Sequence, residues 1–130
     1  MTVLRFGSGG PWEAMIGYSR VVVRGDSAWV SGCTSTVDGE VAHVGDVAAQ
    51  ARQAFANLAT ALEGAGFALA DVVRTRMYLT DISRWQELGR AHGEVFGDIR
   101  PATTMIGVAA LLHPDMLVEV EADAVRGAGA

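Results

Sequence analysis

Apolar and acidic residues alternate strictly along Val118-Glu119-Val120-Glu121-Ala122-Asp123-Ala124. Successive side chains of a β-strand point to opposite sides, so the three acidic side chains share one face and the apolar side chains share the other. This pattern is typical of a strand that packs one face on a core. For Glu121 and Asp123 the simplest interpretation is a solvated strand face, balanced across strands by Arg74 and Arg76. For Glu119 a role as a proton relay in a pocket is the competing interpretation.

The segments before this strand predict a sheet with two helices. In chain order we expect strands over 3–6, 19–24 and 28–34, a helix over 46–63, a strand over 71–79, a helix over 83–96, and strands over 102–108 and 116–125. Asp46 is a good N-cap for the first helix, and the spacing of Ser83-Arg84-Trp85-Gln86 predicts a capping box for the second. Single helices between strands predict a layered α/β or α+β sheet with its helices on one face. We expect small or apolar groups on the other face, and oligomerisation to cover them.

Composition narrows the function classes. The 130 residues are 50% hydrophobic and carry a net charge of −5, and all ten basic residues are arginines. Without lysine there is no Schiff-base, P-loop or pyridoxal-phosphate anchor, and we expect no cofactor. A net negative chain without a basic run is a poor nucleic-acid binder, because phosphate contacts supply most of that affinity. We therefore expect a small-molecule ligand, with no nucleic-acid or membrane partner.

Length and cysteine usage set the organisation and the compartment. We expect one domain over residues 1–126, followed by a flexible tail over 127–130. No apolar run reaches the ~18–20 residues of a membrane span, and the first residues lack the features of a secretory signal. Cys33 has no partner for an internal disulfide, which favours a cytoplasmic location.

Few side chains are candidates for chemistry. His92 lies on the apolar stripe of the second helix, where a histidine is more often a hydrogen-bonded core group than a catalyst. Cys33 is expected to be a small buried residue, not a nucleophile, because no base lies near it in the sequence. No histidines or carboxylates have metal-ligand spacing on a helix, so no metal site is predicted.

Two segments of the last third carry a family signature, namely Arg100-Pro101-Ala102-Thr103-Thr104-Met105 and Leu117-Val118-Glu119-Val120-Glu121-Ala122. The chain resembles the RidA/YjgF family of reactive-intermediate deaminases, whose signature is a Pro-Ala-Arg stretch followed by an apolar-Glu-apolar-Glu strand. Further matches, in the family's order and spacing, are Gly17-Tyr18, Val30-Ser31-Gly32, Gly39-Glu40, and residues 46–53 and 71–75.

The resemblance implies an α+β, chorismate-mutase-like fold, a mixed β-sheet with two helices on one face. It implies a homotrimer whose three sheets form a central barrel, with pockets at the subunit interfaces. RidA-like members hydrolyse imines and enamines to keto acids and ammonia. By position, the family's pocket residues fall on Tyr18, Ser31, Gly32, Thr103 and Glu119. Glu119 is the expected catalytic group, and His92 is expected to line the pocket as a second donor.

Thr103 is the departure from the family pattern. Where the signature arginine offers a planar fork for a substrate carboxylate, threonine offers one neutral hydroxyl. Losing one charge-assisted hydrogen bond costs roughly 1.5–3 kcal/mol, or about 10- to 150-fold in affinity. We therefore expect a hydrolase of small imines, enamines or related C–N compounds other than the standard 2-aminoacrylate. The alternatives are a non-catalytic small-molecule-binding trimer and an endoribonuclease or translation inhibitor.

Overall fold

The computed structural model describes residues 2–127. In chain order these residues form β1 (Val3–Phe6), β2 (Val21–Arg24), β3 (Ser27–Cys33), β4 (Thr36–Val37), β5 (Glu40–Val41), α1 (Val47–Gly64), β6 (Val72–Leu79), α2 (Trp85–Phe96), β7 (Ala102–Gly107) and β8 (Val118–Val125). The predicted order of elements is confirmed, and the small β4–β5 hairpin is an addition to it.

The described strands form a six-stranded sheet in the order β1-β2-β3-β8-β6-β7, with β4 and β5 as a separate pair. All neighbours in the large sheet are antiparallel except β6 and β7, which run parallel because α2 crosses over between them. The acidic strand β8 is therefore central, between β3 and β6. The sheet is mixed and the fold is α+β, as the resemblance implied.

Both helices cover the same face of this sheet. The small apolar side chains of β8 are buried against the helices. The largest fully buried apolar side chains of this core are Phe55, Leu58, Leu62, Leu79, Leu88 and Phe96. The start of α1 is as predicted, because the Asp46 side chain accepts a hydrogen bond from the Ala49 backbone N–H at 3.0 Å. The alternation in β8 is likewise confirmed, because Glu119, Glu121 and Asp123 are half-buried on the opposite face.

One local prediction was wrong. The capping box at Ser83 does not form. Instead, Asp81 caps the turn before α2 by accepting from the Ser83 N–H at 3.1 Å, and Trp85 at the helix start is 53% exposed. In β6 the register shifts between Val72 and Arg74, so Val73 is bulged out to 38% exposure and does not join the buried face.

The uncovered sheet face is mixed: charged side chains of β6 and β8 lie beside exposed apolar side chains such as Ile106 and Val125. Arg76 pairs with Asp123 at 3.4 Å, and the Tyr78 hydroxyl donates a hydrogen bond to Glu121. That hydrogen bond, reinforced by burial, raises the pKa of Tyr78 to about 12. Trp29 is the largest exposed apolar side chain of β3. The predicted apolar groups are therefore present on this face together with charged ones, and oligomerisation through it stays a prediction.

Gln50 is a buried polar residue that sequence reasoning missed. Its amide nitrogen donates to the His43 carbonyl at 3.2 Å and to the Asp115 carbonyl at 2.8 Å, and its Oε1 accepts from the Leu117 N–H at 2.9 Å. Gln50 is 0% exposed, so water cannot replace these bonds. It fastens the loop before β8 to α1, and thus helps to place the strand that carries Glu119.

Replacing Gln50 by Leu is expected to lower the free energy of unfolding by about 2–4 kcal/mol, because the Asp115 carbonyl and the Leu117 N–H lose their partners and the His43 carbonyl keeps only the Asp46 N–H. Urea unfolding followed by circular dichroism measures the change. Gln86→Leu, on the exposed side of α2, is the matched control and is expected to stay within about 0.5 kcal/mol of wild type. Equal stability of Gln50→Leu and wild type would contradict the assigned role.

The end of the described chain is tied to the fold. The Gly127 N–H donates to Asp71 Oδ1 at 3.2 Å. Of the tail predicted over 127–130, residues 128–130 lie outside the described residues. Within residues 2–127, neither helix combines the length and hydropathy that a membrane span requires.

Candidate functional site

A cleft of about 880 Å³ opens beside the ends of β2, β3 and β8. Its walls come from four parts of the chain: the glycine-rich loop over residues 7–12, the start of β2, the end of β3 with the segment after it, and the polar side of α1. Glu119 of β8 contributes to the lining. The lining includes Tyr18, Arg20, Gly32, Cys33 and Glu119.

Glu119 has its position because of the alternation in β8 and a glycine in the neighbouring strand. It lies opposite Tyr78 of β6, on the face of the sheet away from the helices. A Cβ on Gly32 would lie 2.8 Å from Glu119 Cδ, so only glycine leaves room for the carboxyl group there. Within residues 2–127 the carboxylate has no hydrogen bond and no ion pair.

The surroundings of the Glu119 carboxyl shift its pKa in the direction of the protonated form. Burial, and next the neighbouring charge of Glu121, raise the pKa of the Glu119 carboxyl above its usual 4.5, while Arg20 acts in the opposite direction. A half-buried carboxyl with a raised pKa and no internal partner is suited to give up and take back a proton.

Arg20 is held at the irregular end of β3. The β3–β8 register shifts between Val30 and Cys33, and Arg20 Nη1 donates to the Ser31 carbonyl at 3.0 Å and to the Gly32 carbonyl at 2.5 Å. The guanidinium therefore satisfies two carbonyls at the bulge. Its Cζ also lies 5.6 Å from the centre of the Tyr18 ring.

Ser31 is engaged by the backbone and does not line this cleft. Its hydroxyl donates to the Ser19 carbonyl at 2.6 Å, and it borders a neighbouring shallow depression together with Tyr18. The position of Ser31 holds the Tyr18 segment against β3.

Cys33 is 4% exposed, as predicted for a small buried residue. Burial raises the pKa of its thiol despite the charge of Arg20. A protonated thiol is a weak nucleophile, so the structure supports a packing role for Cys33.

Thr103 and His92 lie on the helix-covered side of the sheet. β7 pairs in parallel with β6 so that Thr103 is beside Thr75, whose hydroxyl lies 2.8 Å from Thr103 Oγ1 and 2.8 Å from His92 Nε2. The His92 ring packs against Phe55 and Phe96, and burial lowers the pKa of the imidazole. His92 is therefore a hydrogen-bonded side chain on the apolar face of α2, the more frequent role that the sequence pattern indicated for it.

Within one chain the predicted site residues form two separate groups. Tyr18, Gly32 and Glu119 lie together, with Ser31 behind them, whereas Thr103 and His92 are on the other face. Among residues 2–127, no three histidine, cysteine or carboxylate side chains gather closely enough to hold a metal ion.

The glycine-rich loop is a wall of the cleft that the sequence reasoning did not assign to the site. The Glu13 carboxylate accepts hydrogen bonds from the Ser8 N–H at 3.1 Å and the Gly10 N–H at 3.3 Å, and also from the Ser8 hydroxyl. These bonds lower the pKa of Glu13. The sequence left open whether Arg20, Arg24 or Arg100 of a neighbouring subunit reaches the site. Arg20 lines the cleft of its own chain, as its place two residues after Tyr18 on an extended segment allows.

Comparison with known proteins gives consistent matches. A family model described as endoribonuclease L-PSP matches residues 11–126. A crystal structure of a YjgF/YER057c/UK114 family member from Mycobacterium tuberculosis has 48% sequence identity and a TM-score of 0.87, covering 95% of this chain and 99% of that chain. An uncharacterized protein from Streptomyces coelicolor is 36% identical over 126 residues, 97% of this chain and 94% of its own length. The 3-aminoacrylate deaminase RutC from Acinetobacter baylyi is 35% identical over 81 residues, 62% of this chain and 64% of that protein.

Proposed function

Because the chain belongs to the endoribonuclease L-PSP family, also called YjgF/RidA, we propose that it hydrolyses small imines or enamines, with Glu119 as the catalytic acid and base. The observation that carries this proposal is the carboxyl group of Glu119, half-buried in a cleft without an internal partner and with a raised pKa. The relationship to RutC, a 3-aminoacrylate deaminase, supports this class of reaction.

The chemistry needs one proton relay and one water molecule. Protonated Glu119 gives its proton to the imine nitrogen, or to the enamine carbon, and the substrate becomes an iminium cation. Water adds to the iminium carbon and its proton returns to the carboxylate. Glu119 then protonates the amino nitrogen of the carbinolamine, and its carboxylate takes the hydroxyl proton as the C–N bond breaks. A carbonyl compound and ammonia leave, and Glu119 is again protonated. The apolar part of the wall, which includes Phe6, Val21 and Met116, favours the uncharged carboxyl before each cycle.

Thr103 and His92, the predicted site residues outside the cleft, are accounted for by a proposed oligomer. We propose a homotrimer in which Thr103 and His92 of one chain complete the cleft of its neighbour, because these residues cannot reach Glu119 across their own sheet. Tyr18 and Thr103 then orient the substrate from two sides. The reaction uses side chains alone and needs no added cofactor, and we place it in the cytoplasm.

Ammonia release tests the proposal directly. An amino-acid oxidase generates imines in situ, with semicarbazide as a competing trap. The purified chain is expected to speed ammonia release and to lower the yield of semicarbazone for at least one imine in a panel of side-chain sizes. Ligand binding without faster release across the panel would favour a non-catalytic binding trimer instead.

The name of the family model also raises cleavage of RNA as an activity. The net charge of −5 and the absence of lysine oppose it, since binding to a phosphate backbone depends on basic side chains. A filter-binding titration with single-stranded RNA at low salt is therefore expected to show no saturable binding. Saturable binding with cleavage that survives repeated purification would favour this function over the deaminase.

A further inference from the structure

Arg20 is the arginine that lines the Glu119 cleft. It is half-buried, and within residues 2–127 its guanidinium has no carboxylate within 4.0 Å, although Arg52, Arg76, Arg84 and Arg126 each pair with one. Glu119 and Glu13 are near enough to feel this charge but are not ion-pair partners, and a half-buried positive charge is stabilised by an anion at contact distance. The surroundings of Arg20 therefore favour an anionic group in the cleft.

The hydrogen bonds of Arg20 show which of its donors are free. Nη1 already has two carbonyl acceptors and lies 3.5 Å from Cys33 Sγ. Nη2 reaches only the Tyr18 hydroxyl, at 3.5 Å, the outer limit of a hydrogen bond. Within residues 2–127, Nε has no acceptor. Nη1 thus anchors the side chain, while Nη2 and Nε retain hydrogen atoms for a ligand.

We propose that Arg20, assisted by the Tyr18 hydroxyl, is the carboxylate-binding group of this cleft and determines its specificity for imines of amino acids. This proposal rests on the proposed hydrolase function. It differs from the expectation that Thr103 removes carboxylate binding, because Arg20 comes from a different strand and its fixed guanidinium supplies the missing positive charge.

Binding of an anion at Arg20 also acts on Glu119. The charge of Arg20 opposes the rise in the pKa of the Glu119 carboxyl. A bound carboxylate screens that charge, so the pKa of Glu119 increases further when such a substrate is present. The substrate thereby favours the protonated acid that the reaction needs, and an uncharged imine does not.

The test compares two ligands that differ only in charge. The probes are 4-methyl-2-oxopentanoate and its amide, titrated by calorimetry or NMR into wild type, Arg20→Gln and Arg24→Gln. Glutamine at position 20 keeps a donor for the β3 carbonyls but removes the charge, and Arg24 is an exposed arginine at the end of β2, the strand that follows Arg20. Wild type and Arg24→Gln are expected to bind the acid at least about 10-fold more tightly than the amide. In Arg20→Gln we expect this preference to disappear while the affinity for the amide stays within about 3-fold.

Turnover gives a second readout. An amino-acid oxidase supplies the imine of leucine, and an amine oxidase supplies the imine of 3-methylbutylamine, which has the same side chain without the carboxylate. Arg20→Gln is expected to raise KM for the first by about 10- to 150-fold with a smaller change in kcat, and to change KM for the second by less than about 3-fold.

The outcomes separate the two proposals. If no imine is turned over but the acid preference depends on Arg20, the carboxylate site stands and the hydrolase function fails. If both imines are hydrolysed but Arg20→Gln keeps the preference, the hydrolase stands and this inference fails. Equal binding of both probes by wild type, absence of binding, or equal weakening for both probes in Arg20→Gln also overturns it, the last because it indicates a purely structural role.

Discussion

Replacing Glu119 by Gln is expected to lower kcat/KM for imine hydrolysis by about 10²–10⁴-fold, because an amide can neither give nor take the proton. The substitution preserves the shape of the side chain beside Gly32, so loss of activity reports on proton transfer rather than packing. Initial rates of ammonia release, corrected for spontaneous hydrolysis, measure the change.

The pH dependence gives the same prediction a second measurement. If the protonated carboxyl is the active form, kcat/KM falls as the pH rises through the pKa of Glu119, which lies above 4.5. The residual activity of Glu119→Gln is expected not to show this decrease of kcat/KM with rising pH. A wild-type profile without a step above pH 4.5 would argue against Glu119 as the acid.

The Glu119→Gln variant is expected to be more stable than wild type at pH 7, although it is less active. Because the pKa of Glu119 is raised in the folded chain, folding binds a proton, and stability falls as the pH rises from about 4.5 through the folded-state pKa. Glu119→Gln removes this loss, so its Tm at pH 7 is expected to exceed that of wild type by about 1–3 °C, the partial exposure of the group keeping the effect small. The difference shrinks below pH 4.5.

Asp123→Asn is the matched control for Glu119→Gln. Asp123 lies on the same strand and face, but it pairs with Arg76 and does not line the cleft. Its activity is expected to stay within about 3-fold of wild type. An equal loss in both variants would show that the acidic strand face acts as a whole.

Gly32→Ala is expected to lower kcat/KM by roughly 100-fold while leaving the fold intact. The new Cβ would lie 2.8 Å from Glu119 Cδ and 3.0 Å from Oε1, so the carboxyl group has to move away. The atoms in the way belong to the end of a flexible side chain, and Gly32 does not have a left-handed φ, so stability is expected to change by less than about 1 kcal/mol. Displacement of a reacting group by ~1 Å is enough for a loss of this size.

A double variant and a second glycine make this prediction specific. In the Glu119→Gln background, Gly32→Ala is expected to cause little further loss, because both changes remove the same group. Gly93→Ala in α2 meets nothing within 4 Å and is expected to keep full activity and to gain about 0.5–1 kcal/mol in stability. Additive losses in the double variant would assign Gly32 a role separate from Glu119.

The local elements could largely be predicted from the sequence, because their patterns depend on neighbours along the chain. The period of two in β8 and the Asp46 cap of α1 were both predicted and confirmed. The start of α2 was mispredicted because two nearby residues can cap this segment. Ser83 has the spacing of a capping box, but Asp81 is the cap, and its carboxylate accepts hydrogen bonds from the N–H and the hydroxyl of Ser83. Gln50 was missed because all three of its partners are backbone groups, which no sequence pattern identifies.

The candidate site could be predicted only in part. The family signature identified Glu119, Gly32 and Tyr18, which the structure brings to one cleft. It also identified Thr103, which the parallel pairing of β7 with β6 turns toward Thr75 and His92 under the helices. Strand pairing decides which face a side chain shares with distant residues, and a signature segment alone does not contain that pairing.

The sequence by itself determined the fold class, the acidic face of β8 and the absence of lysine chemistry, because each follows from residue type and local period. Only the tertiary structure decided that Arg20 lies in the same cleft as Glu119. This proximity depends on β8 lying next to β3, and on a bulge in β3 whose carbonyls accept hydrogen bonds from the Arg20 guanidinium. Residues about 100 positions apart become neighbours through the register of three strands, which is set by burial of the apolar faces against α1 and α2.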